Sequence, residues 1–311
     1  MGYVIGKRVL AGIPTLLGVT VILFITLRLL PGDPLAALLG GAAATPEMVT
    51  NLEAQFGLDQ PLIVQYWRFL TDALTFDLGT SYTSRQPVSG MIVDKIGPTI
   101  QLALAAAAVS AVTGIVLGSI AAIRRNGPVD SAIRVLSLVT TAMPSFWVGL
   151  LLIMVFSLTL GWFPATGNDG LLALVLPAIT LGLSAAGTVT RLVRNSVIEV
   201  MGDTFVTALH AKGLRSGVVV MKHVLRNAII PTVTIVGLQL GALVAGAVIV
   251  EAVFTRQGLG QMLVQAIAGN DYPVIQGVVL VIAALYILIN IVVDISYAVI
   301  DPRVRSAAAN A

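Results

Sequence analysis

The side chains most able to do chemistry are few and badly placed for it. The chain holds two histidines, His210 and His223, no cysteine, and 15 aspartates and glutamates among 311 residues. Histidines this far apart, with no thiolate to help them, do not make a zinc site, and both read as polar surface residues. No Ser–His or His–Asp set falls inside the long apolar segments, so an intramembrane hydrolase finds no support. Gly6-Lys7-Arg8 lacks both the glycine spacing and the hydroxyl residue of a Walker A loop. The expectation is no catalytic residue, no metal and no cofactor on this chain. One cluster has a composition suited to binding: the polar, basic island 203–231, set between two long apolar segments. It contains Thr207-Ala208-Leu209-His210-Ala211-Lys212-Gly213-Leu214 and ends in Arg226-Asn227-Ala228-Ile229-Ile230-Pro231.

Within the island, Asp203 is placed to cap a short helix whose first turns are 204–212, and Gly213 to stop it in the left-handed conformation. Phe205, Ala208 and Leu209 fall at i, i+3 and i+4 and share a face. A helix of about two turns is not stable alone and needs a surface to bury that stripe. The small Ala208, Ala211 and Gly213 would let a groove on another protein come close. The competing reading is an interfacial helix lying on anionic lipid, aided by Arg191, Arg194, Lys222 and Arg226.

The elements that carry this island are membrane spans. Hydrophobic residues make up 57% and charged residues 11% of the chain, about half or less of the charge of a soluble domain. The formal charge of +3 does not mark a nucleic-acid binder, because the basic residues sit at the ends of apolar segments and not on one face among aromatics. Six runs are long and apolar enough to cross a bilayer core of about 30 Å: 9–27, 96–123, 135–163, 171–190, 228–250 and 274–293. The second and third exceed one bilayer thickness, so each tilts or has an interfacial part. The first reads as a retained span and not as a signal peptide, because its apolar core is long and ends well before the small Ala42-Ala43-Ala44.

Lysine and arginine orient the spans. Lys7, Arg8, Arg124, Arg125, Arg134, Arg191, Arg194, Lys212, Arg215, Lys222, Arg226, Arg303 and Arg305, 13 of the 18, fall on one side. That side is expected to be cytosolic, with both termini. Between the first two spans, Thr45-Pro46-Glu47 opens a helix expected to run to Phe56, and an aromatic stretch around Phe76 and Tyr82 suits the headgroup level. This segment reads as a cap on the outer surface or as a docking surface for an external partner. Gly114 with Gly118, and Gly237 with Gly241, allow close helix approach within the bundle. Charges near the membrane are costly, about 2.5 to 3.5 kcal/mol on insertion scales, so Asp294 is expected to pair with Arg303 or Arg305, and Glu251 with Arg256.

Taken together, these stretches resemble the membrane permeases of ATP-binding-cassette importers, in particular the dipeptide and oligopeptide (DppB/OppB-like) branch, over nearly the whole chain. Residues 207–213, followed by Pro231, look like that family's EAA motif, with Thr207 where the name-giving glutamate stands and Leu209 at the second alanine. Similar markers are Arg28-Leu29-Leu30-Pro31-Gly32-Asp33-Pro34, Ala142-Met143-Pro144-Ser145-Phe146-Trp147-Val148-Gly149, Val253-Phe254-Thr255-Arg256-Gln257-Gly258-Leu259-Gly260 with Asn270-Asp271-Tyr272-Pro273, and Asp301-Pro302-Arg303-Val304-Arg305.

The resemblance implies an all-α membrane protein with six transmembrane helices and the type I importer (MetI-like) permease fold. The chain would divide into the first span (1–31), an extracytoplasmic segment (32–95) and a permease core (96–311) holding a cytosolic coupling loop (195–227). It implies a non-catalytic plasma-membrane subunit that works with a second homologous permease, two cytosolic ATPases carrying ATP and magnesium, and an extracytoplasmic binding protein that delivers peptide. Asp203, Phe205, Thr207, Ala208, Leu209, Ala211, Lys212, Gly213 and Leu214 would then contact the ATPase, and polar residues such as Gln101, Gln239, Gln276 or Asn290 would face the peptide path. Nickel and glutathione permeases share the markers, so cargo stays open. The rival from another class is an ion-coupled secondary transporter, which places acids and broken helices near mid-membrane; this sequence shows no acid there.

Overall fold

In an apolar medium the backbone must satisfy its own polar groups, and long helices do so one turn at a time. The computed structural model describes residues 2–29, 47 and 59–300. Its helices are α1 (Gly2–Leu29), α2 (Leu62–Leu74), α3 (Val88–Ile123), α4 (Pro128–Ala142), α5 (Ser145–Leu152), α6 (Leu172–Met201), α7 (Thr204–Ala211), α8 (Leu225–Val253), α9 (Leu259–Ala268) and α10 (Tyr272–Ile300). A π-helical stretch, Ile153–Thr159, continues α5, and another, Val219–Val224, leads into α8. Among the described residues there is no strand, only an isolated bridge between Thr80 and Pro87.

Five helices are long and apolar enough to span a membrane, and the pair Pro128–Ala142 with Ser145–Thr159 makes a sixth span bent by 106°. The third apolar run is thus not one helix. Pro144 has no N–H and forces the residue before it out of the helical region, and Met143 accordingly sits at φ −75, ψ 132. The fourth span runs on to Met201, past the expected end at 190, because Val193 and Val197 keep its apolar face buried. Arg191 and Arg194 therefore stand on a helix and not in a loop. The second span starts at Val88, ahead of the expected 96. Of the helix expected from Thr45 to Phe56 only Glu47 is described, and the 30–34 part of the first marker and the pairing of Asp294 fall outside the described residues and side chains.

α3 and α6 form the centre. A Cβ on Gly118 would lie 2.6 Å from the Thr190 carbonyl oxygen and 2.8 Å from Val193 Cβ, and one on Gly114 would meet Val189. From the other side, a Cβ on Gly182 would lie 2.7 Å from the Ala106 carbonyl oxygen. Bare glycine is what lets the two backbones touch, and it lets dispersion act over their full length. Gly237 and Gly241 of α8 make room for α10 side chains, Val293 and the Tyr286 ring. Both glycine pairs thus pack within the bundle, as expected.

Three apolar clusters stack along the bundle. The middle one joins Leu102 and Ala106 to Leu176, Leu181, Val244 and Phe254. At the end where α3 begins, Leu78, Val88 and Ile92 meet Leu259, Val274 and Val278. At the opposite end Val193 and Val197 meet Val206, Val219 and Val224.

Buried charge fixes the joints between helices. Asp271 Oδ2 accepts from Ser81 Oγ (2.6 Å) and Thr83 N (3.1 Å), and its Oδ1 accepts from Tyr82 N (3.0 Å), which fastens the turn after α2 to the α9–α10 elbow. Burial there pushes the Tyr82 hydroxyl up to about 12. At the other end Arg194 grips Asp130 with two bonds, Nε to Oδ1 at 2.6 Å and Nη2 to Oδ2 at 2.8 Å. The expected Glu251–Arg256 ion pair does not form. Glu251 Oε2 instead accepts from Gly260 N (2.7 Å), and Arg256 donates to Gln101 Oε1 (2.7 Å). Burial pushes the Arg256 guanidinium down from its ordinary value, with Glu251 opposing. Gly258 and Gly260 allow this turn, since a Cβ on either would run into the Glu251 carboxylate.

Gly118→Leu must push α6 off α3, an overpacking cost of about 1–3 kcal/mol. The expected result is a lower thermal midpoint for the purified permease complex, while Gly217→Ala, whose Cβ meets nothing within 4 Å, leaves it unchanged.

Candidate functional site

The short helix α7 is held to the bundle along one face and bare along the other. Val206 is 5% exposed, and Phe205, Leu209 and Leu214 pack partly buried against the cluster of Val197, Val219 and Val224. At about 100° per residue, Phe205, Leu209 and Val206 cover one quadrant. Ala208 lies about 110° from their midpoint and is exposed. The buried stripe therefore consists of Phe205, Leu209 and Val206, with Val206 the most deeply buried, and Ala208 lies outside it. The chain's own π-helical stretch provides the surface that this helix needs.

The bare face is the opposite one. Thr204, Thr207, Ala208 and Ala211 are all exposed, and the same angular arithmetic gathers them within about 100° of the circumference. None has a side chain larger than that of threonine. Lys212 and Arg215 rim its C-terminal end, and Lys222 and Arg226 lie further along; all four are exposed.

The termini of α7 differ in quality. Asp203 sits at the N-cap position with φ −68, ψ 147, but its side chain makes no capping hydrogen bond. Gly213 ends the helix with φ +80, donating to His210 O (2.9 Å) while Leu214 N donates to Leu209 O (3.3 Å). That pair of bonds is the six-to-one, five-to-two closure of a left-handed C-terminal stop. Nothing lies within 4 Å of where a Gly213 Cβ would be. Glycine is needed there for its backbone angle and not for clearance within the chain.

The four polar residues expected along a peptide path are not gathered in one cavity. Gln101 accepts from Arg256, beside the contacts by which Lys95 Nζ reaches Gln257 Oε1 (2.8 Å) and Leu259 N reaches Thr99 Oγ1 (2.8 Å). These three bonds fasten the α8–α9 turn to α3. Gln276 lines a cleft of about 420 Å³ with Arg28, Gln65, Arg68 and Asp72, where Arg28 hydrogen-bonds Gln65 and lies over the Phe24 ring. Gln239 of α8 has a buried Oε1 without a hydrogen-bond partner, and Asn290 of α10 packs beside Gly241. Sequence reasoning missed Val206 and Thr204 on α7, and the Asp130–Arg194 and Asp271 anchors. Val206 was legible in principle, since it extends the Phe205–Leu209 stripe by one position.

Comparison with known proteins agrees with this architecture. The family model "Binding-protein-dependent transport system inner membrane component" matches residues 114–306, and its N-terminal companion matches 1–103. The glutathione transport system permease protein GsiC of Salmonella paratyphi A is 43% identical over 305 residues, 98% of this chain and 99% of that protein. GsiC of Pectobacterium atrosepticum is 42% identical over 96% of this chain and 97% of its own, and that of Escherichia coli K12 41% over 98% and 99%. Among solved structures, an inward-facing conformation of the MetNI methionine ABC transporter superposes with a TM-score of 0.58 at 21% identity, covering 68% of this chain and 96% of that one. The chain belongs to the binding-protein-dependent transport system inner membrane components: it is a multi-pass, non-catalytic inner-membrane permease of an ABC importer, of the peptide-type branch.

Proposed function

We propose that this permease forms half of a translocation path and receives its drive through α7. The path is completed by a second homologous permease. Two cytosolic ATPases bind ATP and magnesium, and an extracytoplasmic binding protein delivers the cargo. The observation that carries this reading is the bare, small-residue face of Thr204, Thr207, Ala208 and Ala211 on a helix whose other face is anchored. Such a face admits a groove at close range and passes a push through Val206 to the π-helical stretch 219–224, which packs on α6 and leads into α8. Asp203, Phe205, Leu209, Lys212, Gly213 and Leu214 then hold that face in position or rim it. Nucleotide must favour one arrangement of the spans over the other, and α7 is where that difference crosses between subunits.

Both termini and α7 lie in the cytosol under this reading, and the extracytoplasmic side carries the 32–95 segment. Cargo is a short peptide. Glutathione is the most specific alternative, supported by the GsiC relatives, with nickel a further one within the family. An ion-coupled carrier would share the broken span at Met143-Pro144, but the described carboxylates in the spans, Asp94, Asp130, Glu199 and Glu251, all lie near helix ends and not beside that break.

Five measurements test these points. Ala208→Arg puts a long charge on the bare face, and the folded permease should keep its thermal midpoint yet lose ATPase co-purification and binding-protein-stimulated hydrolysis by at least about tenfold, near 1.4 kcal/mol. Gly213→Val should cost about 1–2 kcal/mol for the left-handed backbone, with Gly213→Asn tolerated. Because the native chain has no cysteine, Thr207→Cys should react with an impermeant thiol reagent only in inside-out vesicles, and Asp77→Cys only in right-side-out ones. Uphill uptake by the permease alone on an ion gradient would overturn the whole reading, and competition among dipeptides, tripeptides, glutathione and nickel ranks the cargo.

A further inference from the structure

A second basic feature lies on the α7 half of the bundle, in the angle between α4 and α6. Ser131, Arg134 and Leu138 of α4 and Arg191, Arg194 and Asn195 of α6 line a cleft of about 380 Å³. Three guanidinium groups line it, and the carboxylate beside them is Asp130, which meets Arg194 and Arg134. That carboxylate is wholly buried and already committed, to Arg194 through two bonds and to Asn126 N at 3.0 Å. Arg134 Nε reaches it only at 3.5 Å, with its side chain 51% exposed. Arg191 meets neutral oxygens only, with Nη1 at 3.2 Å from Ser137 O and Nη2 at 3.4 Å from Thr188 Oγ1. Three positive charges against one negative leave a formal +2. Glu199, on the same helix, does not line the cleft, while exposed Arg124 and Arg125 in the turn before α4 add to the positive field.

The surroundings of the cleft are amphipathic. Val135 and Leu138, at 60% and 58% exposure, continue from the arginines along α4. Arg191 and Arg194 follow directly on the charge-free part of α6, 172–190, which is about 29 Å long and so close to one hydrocarbon thickness of about 30 Å; this puts their charges where headgroups meet acyl chains. A divided guanidinium cluster above an exposed aliphatic strip matches a phosphodiester with chains attached. A soluble anion would have no use for the strip. The inner leaflet is the negatively charged one and draws juxtamembrane arginines.

We propose that this cleft binds the phosphate of an anionic phospholipid of the inner leaflet, held by Arg134 and Arg191 over the Asp130–Arg194 pair, with Val135 and Leu138 against the first carbons of its acyl chains. The proposal rests on the orientation given above. Its effect would be to brace the bent α4–α5 span against α6 from the lipid side, leaving α7 free.

The complete transporter, purified in detergent, is to be titrated with phosphatidylglycerol and, separately, phosphatidylcholine, with lipid retention read by native mass spectrometry and stability by thermal midpoint. Phosphatidylglycerol should be retained in preference. Arg134→Gln should weaken its apparent affinity about fivefold, the share of one basic residue near an anionic surface, Arg134→Lys should restore most of it, and Arg134→Gln with Arg191→Gln should abolish the preference. ATPase co-purification, which depends on α7, should not change. Equal retention of the two lipids, an unaltered preference in the double variant, or equal protection by inorganic phosphate alone would overturn the proposal. The labelling of Thr207→Cys separates the two readings: reaction from the outside refutes the orientation whatever lipid is bound.

Discussion

Backbone contact between α3 and α6 is the constraint on which the remaining structure depends. In lipid there is no gain from hiding apolar side chains from water, so two helices hold together only as closely as their surfaces fit. Gly114, Gly118 and Gly182 remove the side chains that would keep the axes apart. α8 then closes on this pair through Val244 and Phe254, and α10 closes on α8 through Gly237 and Gly241. Two buried carboxylates act at the ends of this packed centre, Asp130 tying α4 to α6 and Asp271 tying the turn after α2 to the α9–α10 elbow. Charge here sets register and angle, while small residues set distance.

The same logic explains why α7 has two unlike faces. Its valine and aromatic side are a continuation of the α6 cluster, so the helix is an outgrowth of the bundle and not a tethered loop. Its other side lacks any side chain that could reach into that cluster. A short helix fixed in this way keeps its orientation without a partner and can transmit displacement without first folding. The left-handed glycine that ends it also turns the chain back under the helix, which brings Leu214 into the same apolar cluster.

Span number and the location of α7 were legible in the sequence because hydropathy and the Gly213 stop are local signals. Lengths were less so. Valines on one face carried α6 eleven residues past its expected end, and periodicity on one face is weaker than a continuous apolar run. The Met143-Pro144 break was visible as a proline, but a proline inside a span more often bends a helix slightly than divides it; Pro98 and Pro177 sit inside intact α3 and α6. The Asp130–Arg194 pair was hidden because its partners are 64 positions apart, and Arg194 looked like one more topology-setting arginine. Gln101 looked like a path residue because an isolated amide in a span invites that reading. Its bond to Arg256 depends on that side chain folding back on α3, which no local pattern announces.

α3 is 36 residues long, about 54 Å, against a hydrocarbon layer of about 30 Å. Its first turns, with Val88 and Ile92 wholly buried, complete an apolar cluster that also takes Leu78 from the preceding turn and Leu259, Val274 and Val278 from the far end of the chain. α2, by contrast, has no buried residue. Among the described residues, the stretch 59–95 consequently has no buried cluster that belongs to it alone. Excised for soluble expression, residues 59–95 would leave behind Asp271 and the Leu259, Val274 and Val278 side chains, and with them the partners that give this stretch its shape.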